Sequence, residues 1–433
     1  MSSALLGFLG FVAALVLIAF GFPVAVAMAV IGVAGFWWLN GWMGAAFILG
    51  SSPFEAIFPY SLSVVPLFVM MGVFAARAGL SRSLFDMVNG FFGHVRGGLA
   101  VTAIGACALF GAICGSSLAT VATMGRVAIP EMKRHGYSDS LSSAAIAAGG
   151  TLGVLIPPSI LLVIYGILTQ TSIGQLFIGA IVPGMLGAVL YGVAVIIRVR
   201  MAPELAPPTP RTGWTARIAS LGRVWGVVLL FTLVIGGIYL GLFSPTEAAA
   251  VGAVGAFLLA LVSGELDRAA FRDAVRETAG LTGMIFFILI GASLFNYFLE
   301  TTGLPNALIG LIQNSGLSPA VVLILIMLFY IVLGCFMDSM SMILLTVPFL
   351  APVAQALGYD MVWFGILIVT VAEIGLITPP IGMNLFVVQA TVPGLTQRAV
   401  VSGILPFILA DILRLILLAA IPALTLWLPS RMF

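Results

Sequence analysis

No charged residue lies between Ala4 and Pro23 or between Val224 and Phe243. A helix needs about 20 such apolar residues to cross a hydrocarbon core of about 30 Å. Windows of this kind recur along the chain, so the fold class is an all-α polytopic membrane protein. A membrane β-barrel would need short segments of alternating polarity instead. Only 7% of the residues are charged, against about 25% in soluble domains. The net charge of +2 is spread over short loops, which argues against a nucleic-acid surface. Cys107, Cys114 and Cys335 are odd in number and lie in apolar segments, so no disulfide framework is implied. Ala4 to Phe20 has no basic residue before it and reads as a retained first span, not a signal peptide.

A second feature sets the topology. The stretch from Gly111 to Gly166 recurs 222 residues later: Pro130 returns as Pro352, Gly136-Tyr137 as Gly358-Tyr359, Gly153 as Gly375 and Pro157-Pro158 as Pro379-Pro380. Ser116 and Ser117 correspond to Asp338 and Ser339. Each copy is two apolar halves around a polar tip, followed by an apolar segment interrupted by Pro-Pro. The apolar halves are about 15 residues, roughly 22 Å of helix, too short to cross. They read as re-entrant hairpins. Paired interrupted segments in the two halves of a membrane chain point to a transporter's binding site.

Basic residues orient the copies, because short cytoplasmic loops are rich in Lys and Arg. Arg96 and Lys133-Arg134 flank the first hairpin, whereas the second has no basic residue at either end and is followed by Asp360. The two therefore enter from opposite sides, as inverted repeats. The expected organisation is scaffold spans in 1–96, a first transport repeat in 97–168, and scaffold spans in 169–317. A second repeat in 318–390 and a C-terminal span in 391–433 complete it. Within the third block, Met201 to Arg223 is a Pro-rich basic linker and Glu265 to Thr278 an amphipathic helix in the membrane interface. Membrane lipids, including anionic head groups, are the partners that interface helix would meet. Spans are expected near 4–20, 24–39, 62–79, 176–197, 224–242, 247–263, 279–299 and 399–428. Trp37, Trp38 and Trp42 read as interfacial anchors.

The chemistry lies at the breaks. Pro157 and Pro158 lack amide hydrogens, so carbonyls one turn earlier lose partners, and such a break must be shielded or line a polar cavity. Freed carbonyls facing Ser116 and Ser117 would form a near-neutral oxygen cage suited to a desolvated monovalent cation. Asp338, Ser339 and Ser341 facing Gly375, Thr378 and Pro380 repeat the set. Two matched breaks, each with its own polar tip, weigh against proline kinks that only shape packing. Candidate substrate-binding residues are Ser117, Thr120, Arg126, Ser339, Glu373 and Asn384. Arg126 suits a carboxylate, but it also fits a snorkelling residue near Lys133, about 13 Å along the helix from the tip. Glu373 and Asp338 are intramembrane carboxylates and functional candidates by default, although Glu373 also fits a structural partner of an amide or Arg. Asp411 and Arg414, three apart in the last span, read as a mutually neutralising structural pair. His94 and His135 have no metal-ligand spacing. No phosphate loop, nucleophile-base set or Cys/His cluster is present, so no catalysis is expected.

GAICGSSLATVATMGRVAIPEM, MDSMSMILLTVP (Met337 to Pro348) and GLITPPIGMNLF (Gly375 to Phe386) resemble the large membrane subunit of tripartite ATP-independent periplasmic (TRAP) transporters. The resemblance runs essentially the full length. It implies sodium-driven import of a small organic acid across the bacterial cytoplasmic (inner) membrane. In such an elevator mechanism, hairpins and broken helices carry substrate past a fixed scaffold. It also implies two partners, a separate small membrane subunit of about four spans and a periplasmic substrate-binding protein. Two or more co-transported Na+ ions are implied. One sodium site falls on Cys114, Ser116, Gly153, Ile156 and Pro158, and its counterpart on Asp338, Gly375, Thr378 and Pro380. Cys114 stands where the family usually has Ser, so only its carbonyl is left to bind an ion. The alternative within transport is a stand-alone sodium-anion symporter of related hairpin fold. A proton-translocating respiratory subunit would need a midplane chain of Lys, Glu and His, and Lys133 is the only lysine.

Overall fold

The computed structural model describes residues 2–207 and 213–432. Their regular structure is helical, with no strand among the described residues. Many helices start on a side-chain cap. Ser116, Ser138, Ser159, Ser172, Ser318 and Asp338 each accept a backbone N–H from the first turn. That matters because hydrocarbon offers no water to satisfy those amides. Ser244 and Glu247 form a reciprocal capping box at the start of Pro245–Val262.

Both repeats form as expected. The first hairpin is Gly98–Cys114 with Ser117–Arg134, and the first broken helix is Asp139–Leu155 with Ile160–Thr169, bent by 42°. The second hairpin is Pro319–Gly334 with Ser339–Ala356, and the second broken helix is Met361–Ile377 with Met383–Thr391. The Pro157-Pro158 and Pro379-Pro380 peptide bonds are both cis. A long span follows each copy, Ile173–Met201 and Gln397–Ala420. Each hairpin packs on its own broken helix, and its second arm also packs on the far half of the other one. The two broken helices touch, so the repeats interlock.

Glycines permit this closeness. A Cβ added to Gly153 would lie 2.7 Å from the Gly111 Cα, and one on Gly375 would lie 2.5 Å from the Gly334 Cα. In both repeats the hairpin's first arm therefore meets the broken helix backbone to backbone, as small residues allow between membrane helices. Gly111 and Gly334 are 223 apart, one residue off the repeat offset, so matching at 222 passes over them. A second group of helices, Ser3–Ala19, Val24–Ile57, Val64–Arg77, Pro245–Val262 and Arg268–Thr302, packs together. Gly32 lies against the Leu294 carbonyl and Gly291 against the Ala25 carbonyl. This group meets the repeats where Gly72 abuts Cys114 and where Phe11 packs edge-on against Phe349 at 5.2 Å.

Several expected boundaries are corrected. The second span runs from Val24 to a kink at Gly41 (φ 73°, ψ 174°), a conformation glycine adopts without strain, and a further helix, not expected, continues from there to Ile57. The amphipathic segment is not a separate helix. It forms the first turns of Arg268–Thr302, which starts at the Asp267 cap and meets no proline. At 35 residues, about 52 Å long, that helix exceeds the bilayer core, and Arg77 pairs with Glu277 near its start at 3.3 Å. Leu80–Phe92 is an unexpected helix that buries Leu80, Leu84 and Val88 at i, i+4 spacing. Leu304–Asn314 is another. Trp214–Arg223 makes half of the expected linker helical, while 208–212 lie outside the described residues. The last long span ends at Ala420, before Pro422, rather than near 428.

Gly153→Ala and Gly375→Ala should each lower the apparent melting temperature of the detergent-solubilised protein. Overpacking of this kind costs about 1–3 kcal/mol. Gly310→Ala, which meets nothing within 4 Å, should leave the temperature unchanged or slightly higher. Equal behaviour of all three would refute the backbone contacts.

Candidate functional site

The first arm of hairpin 1 ends at Gly115, whose positive φ of 63° turns the chain and whose N–H bonds the Gly111 carbonyl at 2.7 Å. Ser116 then caps the second arm through Ala119 N–H at 3.4 Å. The turn sits on the first break: a Cβ on Gly115 would come 3.1 Å from the Pro158 carbonyl oxygen. In a regular helix the amides of residues 157 and 158 would bind the carbonyls of Gly153 and Val154. Both are prolines, so those carbonyls lack their helical partners. Ile156 is already extended (φ −74°, ψ 124°), and its side chain packs on Gly184 of the next span.

Hairpin 2 repeats the arrangement with an acid. Asp338 caps its second arm, accepting from Ser341 N–H at 3.0 Å with one oxygen and from the Ser341 hydroxyl with the other. The Cys335 thiol donates to the Ile331 carbonyl at 3.2 Å and faces the Pro379 carbonyl at 3.7 Å. The Cys335 carbonyl accepts from Gly382 N–H at 3.4 Å. Thr378 turns its hydroxyl back to the Ile374 carbonyl at 2.6 Å. Each hairpin turn thus docks on the Pro-Pro break of its own repeat.

The two turns also meet each other. Gly115, Ser116 and Ser117 from one, and Asp338 and Ser339 from the other, line a cavity of about 110 Å³. Val154, Ile160 and Leu376 of the broken helices and Leu281, Met284 and Ile285 of the long helix complete its walls. At its edge Asn384 donates to the Ser117 hydroxyl at 2.8 Å and to the Ala147 carbonyl at 3.0 Å. One buried amide therefore joins hairpin 1 to both broken helices. Glu373 is fully buried, and neither carboxylate oxygen has a hydrogen bond of regular geometry. The hydroxyls of Ser339 and Ser117 are nearby polar groups. Ser116, Ser117, Asp338 and Ser339 are the polar side chains of a cavity wall that is otherwise apolar.

Of the six candidate substrate residues, Ser117, Ser339, Glu373 and Asn384 come together here. Thr120 is fully buried beside the first break, its hydroxyl 3.0 Å from where a Cβ on Gly153 would sit. Arg126 is not brought in. It is exposed, and its Nε donates to the Ala122 carbonyl at 3.2 Å on its own helix. Sequence reasoning passed over two further features. Glu373 stands 222 residues after Thr151, at the repeat offset, and the Asp411–Arg414 pair reaches into the first broken helix through Tyr191.

Residues 11–424 match the family model described as the DctM component of the tripartite ATP-independent periplasmic transporter. The chain is 40% identical to the C4-dicarboxylate TRAP transporter large permease protein DctM of Pseudomonas aeruginosa, over 87% of this chain and 88% of that one. It is 35% identical to the ectoine TRAP transporter large permease protein TeaC of Halomonas elongata, over 96% and 97% of the two chains. In fold it is similar to the crystal structure of the Alcanivorax borkumensis YdaH transporter, with a TM-score of 0.61 at 16% identity over 89% of this chain and 90% of that one. The chain belongs to the family of large permease components of TRAP transporters.

Proposed function

We propose that this chain imports a small organic acid, coupled to sodium, across the bacterial inner membrane. The observation that carries the reading is the meeting of two capped hairpin turns, each seated on a Pro-Pro break, at one cavity whose polar side chains are Ser116, Ser117, Asp338 and Ser339. The donor types suit Na+: carbonyls of Gly153, Ile156 and Pro158 with Cys114 and Ser116 in one half, and Asp338 with Gly375, Thr378 and Pro380 in the other. Hard monovalent cations favour such oxygen sets, and the prolines leave carbonyls free to serve. Ser117, Ser339, Glu373 and Asn384 are the proposed substrate contacts.

The driving force is adequate. Each charge moved through 100 mV yields roughly 2.3 kcal/mol, and a tenfold gradient adds about 1.4 kcal/mol per ion. Two sodium ions supply roughly 7 kcal/mol, minus what the potential takes back from an anion. In this reading residues 97–168 and 318–390 move as the carrying unit, and the group containing Val24–Ile57 and Arg268–Thr302 is the scaffold. A periplasmic binding protein delivers the substrate, and a small four-span subunit braces the scaffold. The relatives named for a C4-dicarboxylate and for ectoine make those two compounds the first to test.

Uptake into proteoliposomes should require a sodium gradient, the small subunit and the binding protein, each omitted in turn. Uptake without the binding protein would instead identify a stand-alone symporter, and proton-driven uptake indifferent to sodium would overturn both ion sites. Asp338→Asn should raise the sodium concentration for half-maximal uptake about tenfold, the equivalent of roughly 1.4 kcal/mol. Asn384→Ala should cut the maximal rate by a similar factor, because it breaks the tie between hairpin 1 and both broken helices. Unchanged sodium dependence in Asp338→Asn would remove that residue from the ion site.

A further inference from the structure

Ile173–Met201 and Gln397–Ala420, the long spans that follow the two repeats, pack on each other. They cross the membrane in opposite directions: Arg198 and Arg200 end the first and Arg398 starts the second, which marks that end as cytoplasmic. Beside their contact lies a largely apolar groove of about 490 Å³. It extends from Leu190 to Met201 on one span and from Ser402 to Leu413 on the other, about 16 Å of helix on each. That is close to half of a hydrocarbon core of about 30 Å, so the groove is about one leaflet deep. Leu405 and Leu409 stand exposed along it.

Polar groups occur only at its cytoplasmic mouth. Arg198 and Ser402 line the groove there, and no acid does. Arg198 is half-buried, and its guanidinium has no hydrogen-bond or ion-pair partner among the described residues. A cation left unneutralised at head-group level, above an apolar trough, is the charge complement of an anionic lipid. A guanidinium binds phosphate oxygens in pairs, and basic pockets between spans on the cytoplasmic side suit anionic head groups.

The repeat builds this groove twice. Leu190, Val193, Ala194, Ile197 and Arg198 return 222 residues later as Ile412, Leu415, Ile416, Ala419 and Ala420. Those positions line a second groove, of about 930 Å³, between the last span and the first arm of hairpin 2. It reaches the opposite face of the membrane, where Asp360 is its only charged lining residue among the described residues. The same face of each long span thus opens toward lipid, once in each leaflet. The arginine position holds Ala420 in the second groove, so the cation is present only in the leaflet whose surface carries negative charge.

We propose that the groove between Ile173–Met201 and Gln397–Ala420 is a site for an anionic phospholipid of the cytoplasmic leaflet, with one acyl chain in the trough and the phosphate on Arg198. Its depth favours a lipid over a protein helix. A spanning helix would be covered across the whole membrane, whereas the groove ends at Leu190 and Leu413. The two walls belong to spans that follow different repeats, so the bound lipid ties one half of the chain to the other.

The test uses the purified full-length chain without substrate or sodium, so its result stands apart from the transport reading. Delipidated protein in detergent is given palmitoyl-oleoyl phosphatidylglycerol, or phosphatidylethanolamine with the same chains, and retained lipid is counted by native mass spectrometry. Phosphatidylglycerol should be retained severalfold better. Arg198→Gln should lower its retention severalfold, and Arg198→Lys should lower it less. Ala194→Phe, which fills the trough and keeps the charge, should lower it as well. Arg200→Gln, at the same membrane level but outside the groove, should leave it unchanged. Equal losses in Arg200→Gln and Arg198→Gln would reveal a diffuse surface field and overturn the site, and so would retention unmoved by Ala194→Phe. Equal retention of the two lipids by the wild type would overturn the proposal whether or not the variants fold. Crosslinking of Leu409→Cys in native membranes to a second copy, or to the small subunit, would give the groove to a protein and overturn it too.

Discussion

A backbone amide or carbonyl without a partner costs several kcal/mol in hydrocarbon, and this chain breaks four helical segments at membrane depth. The rest of the structure answers that cost. Turns at Gly115 and Asp338 bring caps with them, so the exposed amides of each second arm are met by Ser116 or by Asp338. Breaks at Pro157-Pro158 and Pro379-Pro380 are met from outside, by Gly115 against the Pro158 carbonyl and by Cys335 against Pro379 and Gly382. Neither a hairpin turn nor a break is complete alone. Each covers the other, which is why they occur in pairs along the sequence.

Covering a backbone with a backbone demands that side chains be absent. Gly111 with Gly153, and Gly334 with Gly375, give that absence on both sides of each contact. The glycines of Val24–Ile57 and Arg268–Thr302 do the same for the second helix group, with carbonyls of Ala25 and Leu294 as their neighbours. Lipid tails are as apolar as the side chains they replace, so close fit and not apolar burial decides which helices associate. A chain with 50 glycines can make such contacts at many helix crossings.

Much of this was legible in the sequence, for reasons that can be named. The hairpins and broken helices declare themselves because Pro-Pro, Gly-Ser and charge-free runs each have one physical reading in a membrane, and because they occur twice. Ser117, Ser339, Glu373 and Asn384 were found as polar residues near a break, and they meet. Arg126 was misleading because polarity alone does not say which way a side chain turns; the helix carries it away from the turn. The helix from Arg268 to Thr302 was cut in two because amphipathicity changes at Thr278, yet nothing there stops the backbone from continuing. The Gly111–Gly334 equivalence was hidden by a single-residue difference in turn length. The reach of Asp411 and Arg414 was hidden because it depends on Tyr191, a residue on another span with no local signal.

The repeat is symmetric in backbone and asymmetric in charge, and the asymmetry has one direction. Where the first copy has Ser116, the second has Asp338; where the first has Thr151, the second has Glu373; where the first has Val189 and Gly192, the second has Asp411 and Arg414. Every intramembrane charge at these positions belongs to the second copy. The first turn and break therefore present only dipoles from carbonyls and hydroxyls, while the second turn adds the Asp338 carboxyl, whose field in a low-dielectric interior acts over longer distances. Two turn-and-break units built on the same backbone are thus chemically unequal. Because the two hairpin turns line one cavity, the acid of the second turn stands beside the neutral first turn.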